Sequence, residues 1–326
     1  MPLFDFRYAG EAQSVRVRGS VEAAGDTDMH REGEEWVTSI ELPSDVRAVY
    51  WFALDGEDDW ANWLPDPARP SYTYPAGLEF TGDREVVGSL LVGPDAMPLR
   101  WSVEHDVPRG TLRVDKLDGR RVWRYTPVAE PEALLLLFDG HAFTTLAPAQ
   151  TVLDNLISAG RIPPVAAVLP DSLDTESRFR DLGQNRSFLD WCCDVLLPWN
   201  GVIATPERTI VAGSSMGGLA SLYFASERPD VFGNALVQSG GFPGLPVDVP
   251  PGLPVRWYLD VGLLEDALLV STRELRDDLS SKAYSVAYQE FPGGHDSSGG
   301  ERRSPTGWLR CSVRTRREDG PLLGSV

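Results

Sequence analysis

A chain of 326 residues with 42% hydrophobic content is long enough for two domains and supplies a substantial core. Its net charge of −18 opposes nucleic acid and anionic membrane as partners through long-range repulsion. No apolar run approaches the ~20 residues of a membrane span, residues 1–10 contain Asp5 and Arg7 in place of a signal-like segment, and the three cysteines (Cys192, Cys193, Cys311) imply no disulfide framework, so the cytoplasm is the expected compartment.

The first hundred residues show almost no helical period. Trp36, Thr38, Ile40 and Leu42 alternate with polar neighbours, and residues 48–54 are rich in β-branched and aromatic side chains, which predicts a sandwich-like antiparallel β domain over 1–108. Prolines and glycines punctuate residues 65–77, and Trp51, Trp60, Trp63, Tyr72 and Tyr74 add aromatic weight. Two readings follow: a sandwich core with a decorated loop, or a loop over 58–74 that reaches the active site and stacks Trp60 and Trp63 on an aromatic ligand.

Near Gly110 the character changes. Asp118 and Gly119 mark a hairpin turn between 112–114 and 122–125, and strands then alternate with helices. Strands are predicted at 134–138, 165–169, 209–211, 235–238, 256–261 and 285–291. Helices are predicted at 152–157, at 188–197 with Pro198 as the stop, after residue 215 up to Pro229, and at 266–280. This is an α/β pattern, a doubly wound, mostly parallel sheet over 109–326 of the α/β-hydrolase kind.

Gly213, Ser214, Ser215, Met216 and Gly217 follow the strand at 209–211 and precede a helix whose apolar face is Leu219, Leu222, Tyr223 and Ala225. A serine at such a strand-to-helix turn is held exposed, while small residues two before and two after let the strand and helix approach. Ser215 is therefore the expected nucleophile. A serine nucleophile needs a base and usually an orienting carboxylate, which in α/β-hydrolases follow in the order Ser, Asp or Glu, His. His295, just beyond the last predicted strand in Phe291, Pro292, Gly293, Gly294, His295, Asp296, is the only histidine after Ser215. The strand at 256–261 runs into Gly262, Leu263, Leu264, Glu265 and Asp266. Asp266 is the expected acid, with Glu265 and Asp260 as alternatives and a helix N-terminal carboxylate as the structural reading of Asp266.

Two backbone N–H donors must face the carbonyl oxygen as it becomes negative. One is expected from Met216, the other from Gly140 or His141 in the loop after the strand at 134–138. No second ligand stands at metal spacing from His141, so no metal is expected. Arg178, Arg180 and Arg186 fall between the strand at 165–169 and the helix before the elbow, at the sheet edge where ligands bind. They suggest an anionic or oxygen-rich substrate; the alternative pairs them with Asp174, Glu176 and Asp181.

Together these stretches resemble the enterochelin (enterobactin) esterase family, which joins an N-terminal β domain to an esterase-D-like α/β-hydrolase domain. The resemblance rests on Val49, Tyr50, Trp51 and Phe52, on residues 58–67, on Leu137, Phe138, Asp139, Gly140 and His141, on residues 151–156 and 160–164, and on residues 213–218 and 291–296. It implies hydrolysis of the ester bonds of ferric enterobactin or a related cyclic triester siderophore, releasing iron in the cytoplasm, without a cofactor. Ser215 and His295 fall on the family's nucleophile and base. The other functions open to the same motifs are a general carboxylesterase or acyltransferase and a non-catalytic siderophore-binding protein.

The family continues after Asp296 into a Trp-containing stretch and an amphipathic helix, whereas this chain has Ser297, Ser298, Gly299, Gly300, Glu301, Arg302 and Arg303. A shifted reading frame from about Ser297 is expected. Read from the third base of each codon, Gly307 with Trp308 gives Leu, Met or Val, and Trp308 with Leu309 gives Ala or Val, the texture of an apolar helix.

Overall fold

The structure, a computed structural model, describes residues 1–25, 27–78 and 80–296. The tail from Ser297, where the frame shift is expected, and Cys311 lie outside the described residues.

The N-terminal region folds as strands β1 (Leu3–Ala9), β2 (Val15–Gly19), β3 (His30–Glu32), β4 (Glu35–Glu41), β5 (Arg47–Leu54), β6 (Ser71–Tyr74) and β7 (Val86–Val92). β1, β4 and β3 form one antiparallel sheet; β6, β7, β5 and β2 are antiparallel neighbours in another. Because successive side chains of a strand point to opposite faces, β5 is divided between two cores. Ala48, Tyr50 and Phe52 join Phe6, Val17, Ile40 and Leu42 between the sheets, whereas Val49 and Trp51 face outwards to Tyr74, Leu78 and Val86.

The remainder runs β8 (Thr111–Leu117), β9 (Arg120–Thr126), β10 (Ala133–Leu137), α1 (Gly140–Thr145), α2 (Ala149–Ser158), β11 (Val165–Pro170), α3 (Thr175–Leu182), α4 (Arg186–Trp191), α5 (Leu197–Asn200), β12 (Thr209–Ser214), α6 (Met216–Glu227), β13 (Asn234–Gln238), β14 (Arg256–Leu264), α7 (Asp266–Ser281) and β15 (Val286–Gly294). Every residue of β10, Ala-Leu-Leu-Leu-Leu, is buried, as a strand covered on both faces requires. Leu134 and Leu136 face α4 and α6, and Leu135 and Leu137 face α2, so helices lie on both sides of the sheet.

The sheet order is β8-β9-β11-β10-β12-β13-β14-β15, parallel from β11 to β15. β10 crosses over to β11 on one side while β12 lies on its other side. The direction in which successive strands are added thus reverses at β10, and in such sheets ligands bind at the carboxyl ends of the strands beside that switch point. The far edge of β15 pairs with β5 in parallel, Gly293 opposite Arg47, so this sheet is hydrogen-bonded to the N-terminal one.

Pro198 does not stop the helix expected at 188–197. A π turn over Cys192–Leu196 joins α4 to α5, with Pro198 in the first turn of α5, and the helix ends only at Gly201, whose φ is +79°. A proline has no N–H to donate and crowds the preceding turn, and the wider turn gives it room.

Candidate active site

β12 delivers the chain to Ser215 at φ 59° and ψ −126°, a region that non-glycine residues avoid. Two backbone bonds hold it there: Ser215 N–H donates to the Gln238 carbonyl of β13 at 2.8 Å, and Leu219 N–H donates to the Ser215 carbonyl at 3.0 Å. A Cβ on Gly213 would lie 2.6 Å from the Gly217 carbonyl carbon, so strand and helix make backbone contact across the turn.

β15 ends beside this turn and carries His295. Its Nε2 lies 2.9 Å from Ser215 Oγ and its Nδ1 lies 2.7 Å from Glu265 Oε2. A carboxylate only accepts, so Nδ1 holds the proton and Nε2 is left to accept the Ser215 hydroxyl. The Glu265 side chain is fully buried. Its Oε1 accepts the Ser239 hydroxyl at 2.9 Å and the Gly262 N–H at 2.8 Å, so a buried anion is met by three donors.

The carboxylate on His295 is therefore Glu265 and not Asp266. The pairing of β14 with β15 is regular through Gly262 and Phe291, then shifts by a bulge before Leu264 and Gly294. The extra residue lies on β15, 291 to 294 against 262 to 264, so the bulge re-aims the β15 end that leads to His295. Glu265 turns inwards, while Asp266 opens α7 at φ 35° with its side chain in solvent. Asp260 is buried within β14, where its Oδ2 accepts from the Gln238 amide at 3.2 Å.

The loop after β10 stands next to the elbow. Asp139 has φ 57°, and Gly140 and His141 open α1 as Met216 opens α6. First-turn N–H groups have no carbonyl four residues back, so all three can serve a ligand anion. A Cβ on Gly217 would lie 3.3 Å from Asp139 Oδ2, which brings the two helix starts together. The His141 ring is engaged elsewhere: Nδ1 bonds to the Gly77 carbonyl at 2.7 Å, and the ring stacks on Trp123.

All three arginines pair with carboxylates of the chain, Arg178 largely buried and Arg180 and Arg186 more than half exposed. Arg178 grips buried Asp139 with Nε and Nη2, each at 2.8 Å, while the Ser172 hydroxyl donates to the same carboxylate. Arg180 pairs with Asp181, and Arg186 with Asp190 and Glu227. Asp174 caps α3, its carboxyl held below the ordinary range by the Ser177 N–H. Arg178 is one of the arginines expected at the substrate; its partner, 39 residues distant, makes it a clamp on the loop after β10. Arg178→Gln removes half of a buried pair, with an expected cost of about 3–5 kcal/mol. Turnover of a neutral and an anionic ester should fall equally; paired kinetics with thermal unfolding check this.

Trp60 and Trp63 pack on Trp51 over the outer face of β5, at ring-centroid distances of 6.2 and 6.1 Å. Trp63 is the more committed of the two, its indole N–H donating to the Glu57 carbonyl and its ring lying under Arg18. Trp60 lies against the exposed ring of Phe80. Ala142 of α1 and Leu146, the residue after it, pack on the same cluster, which therefore lies against the helix that follows β10. Sequence reasoning missed Asp139 and Ser239; the carboxylate directly before Gly140 was the one available signal for the former.

A serine, a histidine and a carboxylate after β12, β15 and β14, with helix N-termini beside the serine, define the α/β-hydrolase class. The "Putative esterase" family model matches residues 122–244. The iron(III) enterobactin esterase of Escherichia coli K12 is 31% identical over 339 residues, covering 88% of this chain and 84% of the relative. That of Dickeya dadantii is 30% identical over 56% of this chain, which spans about half (49%) of that relative's length. The crystal structure of the Shigella flexneri enterobactin esterase in the presence of enterobactin has a TM-score of 0.74 at 24% identity, covering 95% of this chain and 92% of that one. The chain belongs to the iron(III) enterobactin esterase family.

Proposed function

We propose that this protein hydrolyses the ester bonds of a ferric catecholate siderophore of the enterobactin type, releasing iron in the cytoplasm. The observation that carries the reading is the Ser215–His295–Glu265 chain, at 2.9 and 2.7 Å, in a member of this family. Ser215 Oγ attacks the ester carbonyl carbon as its proton passes to His295 Nε2, and Glu265 steadies the resulting imidazolium. The carbonyl oxygen, now negative, is received by the N–H of Met216 and that of Gly140 or His141. Collapse breaks the ester C–O bond, and His295 returns the proton to the departing alkoxide. Water, activated by the same imidazole, then cleaves the acyl-serine and frees the acid.

The aromatic cluster of Trp60, Tyr74 and Phe80, tied to α1 through Gly77 and His141, supports a substrate that carries aromatic rings. The buried thiols Cys192 and Cys193 suit a reducing compartment. Among the described residues no helix is long and apolar enough to cross a membrane. Incubation with ferric enterobactin and with p-nitrophenyl esters, read by mass detection, tests the reading: stepwise cleavage of the triester is expected. Turnover confined to simple esters would overturn it in favour of a general esterase, a reading that the internal pairing of Arg178 favours.

A further inference from the structure

We infer that the N-terminal β region is part of the catalytic apparatus, acting through Asp296 as a positioning residue for His295; this rests on His295 being the base. Asp296 Oδ2 accepts the Val49 N–H of β5 at 3.0 Å and also the hydroxyl of Ser20, the residue after β2. Ser20 in turn donates its N–H to the Val49 carbonyl at 3.1 Å, closing a small ring of bonds around one carboxylate oxygen. The approach is tight on the preceding residues too. A Cβ on Gly294 would lie 2.3 Å from Ser20 Cβ, and Gly293 sits opposite Arg47 in the β15–β5 pairing. His295 therefore hangs between two supports: Glu265 from its own sheet, and the β2–β5 ladder from outside it.

The chemistry needs this second support. The His295 side chain is 41% exposed, so burial alone does not hold the ring. Its Nε2 must stay within hydrogen-bond reach of Ser215 Oγ through both proton transfers. Glu265 fixes one ring nitrogen, which leaves the ring free to swing about that bond unless the backbone beside it is tethered. Asp296, one residue on, is that tether. A displacement of about 1 Å at a reacting group can cost 10²-fold in rate.

The test is kinetic, on the full chain, with a p-nitrophenyl ester so that the result does not depend on the siderophore. Asp296→Ala is expected to lower kcat by about 10- to 100-fold with KM little changed and the thermal midpoint within a few degrees. Asp296→Asn keeps an oxygen that accepts both bonds and should recover most of kcat. Wild-type kcat in Asp296→Ala, or an Asn variant as impaired as the Ala variant, overturns the inference. If Asp296→Ala fails to fold, Ser20→Ala carries the test: loss of the Ser20 hydroxyl donor should lower kcat by about fivefold, and unchanged kcat overturns it. His295→Ala is run alongside. Should it stay active, His295 is not the base and the positioning role falls with it, a result distinct from an inactive His295→Ala beside a fully active Asp296→Ala.

Discussion

Ser215→Ala and His295→Ala should each lower esterase kcat by on the order of 10³-fold or more, and the double variant should be little worse than either single one. The reason is that the two side chains share one proton. Without His295 the Ser215 hydroxyl has no acceptor at 2.9 Å, and without Ser215 the imidazole has no nucleophile to activate. Each variant should fold as the wild type does, because Ser215→Ala removes one oxygen and His295 is partly in solvent. Steady-state kinetics on a p-nitrophenyl ester, with circular dichroism for the folded fraction, checks the claim. Near-wild-type turnover in either single variant rejects the assignment.

Glu265→Gln is expected to cost about 10³-fold in kcat, while Asp266→Asn stays within about twofold of wild type. The amide must place its oxygen and nitrogen among the partners of the original carboxylate. Oε1 receives a fixed donor, the Gly262 N–H, at 2.8 Å, so the amide oxygen belongs there and the NH2 points at His295 Nδ1. An NH2 facing Nδ1 demands the opposite tautomer, with the proton on Nε2, and that nitrogen can no longer accept from Ser215. Asp266 is exposed at the start of α7, so its neutralisation costs only the attraction of a carboxylate to a helix N-terminus, about 0.3–1 kcal/mol of stability. The reverse order of effects would return the acid to Asp266.

Much of this arrangement could be read from residue order. The elbow announced itself because glycines flanking a serine between a buried strand and an apolar helix solve a steric problem, visible in the backbone contact of Gly213 with Gly217. His295 was legible because it is the only histidine after Ser215 and follows the last strand. The choice between Glu265 and Asp266 was not legible. The two are adjacent, and the bonds that hold Glu265 inwards, from the Ser239 hydroxyl after β13 and from the Gly262 N–H of β14, form only when the strand ends are brought together. Arg178 misled for a similar reason: local composition shows a cation beside Asp174, Glu176 and Asp181, whereas the carboxylate it holds, Asp139, arrives from another strand end. The reach of the helix past Pro198 likewise depends on a π turn that no residue pattern near Cys192 foretells.

The tryptophans of the N-terminal region carry an optical consequence. Trp51 has Trp60 at 6.2 Å and Trp63 at 6.1 Å, the first pair near perpendicular at 86° and the second at 59°. Aromatic rings fixed in such asymmetric packing give near-ultraviolet dichroism, which is lost when the packing is lost. Trp60 and Trp63 come from the segment between β5 and β6, while Trp51 belongs to β5, so this packing exists only while that segment lies on the sheet. Lifting that segment would therefore remove one part of the near-ultraviolet dichroism while the far-ultraviolet signal of the strands and helices stays.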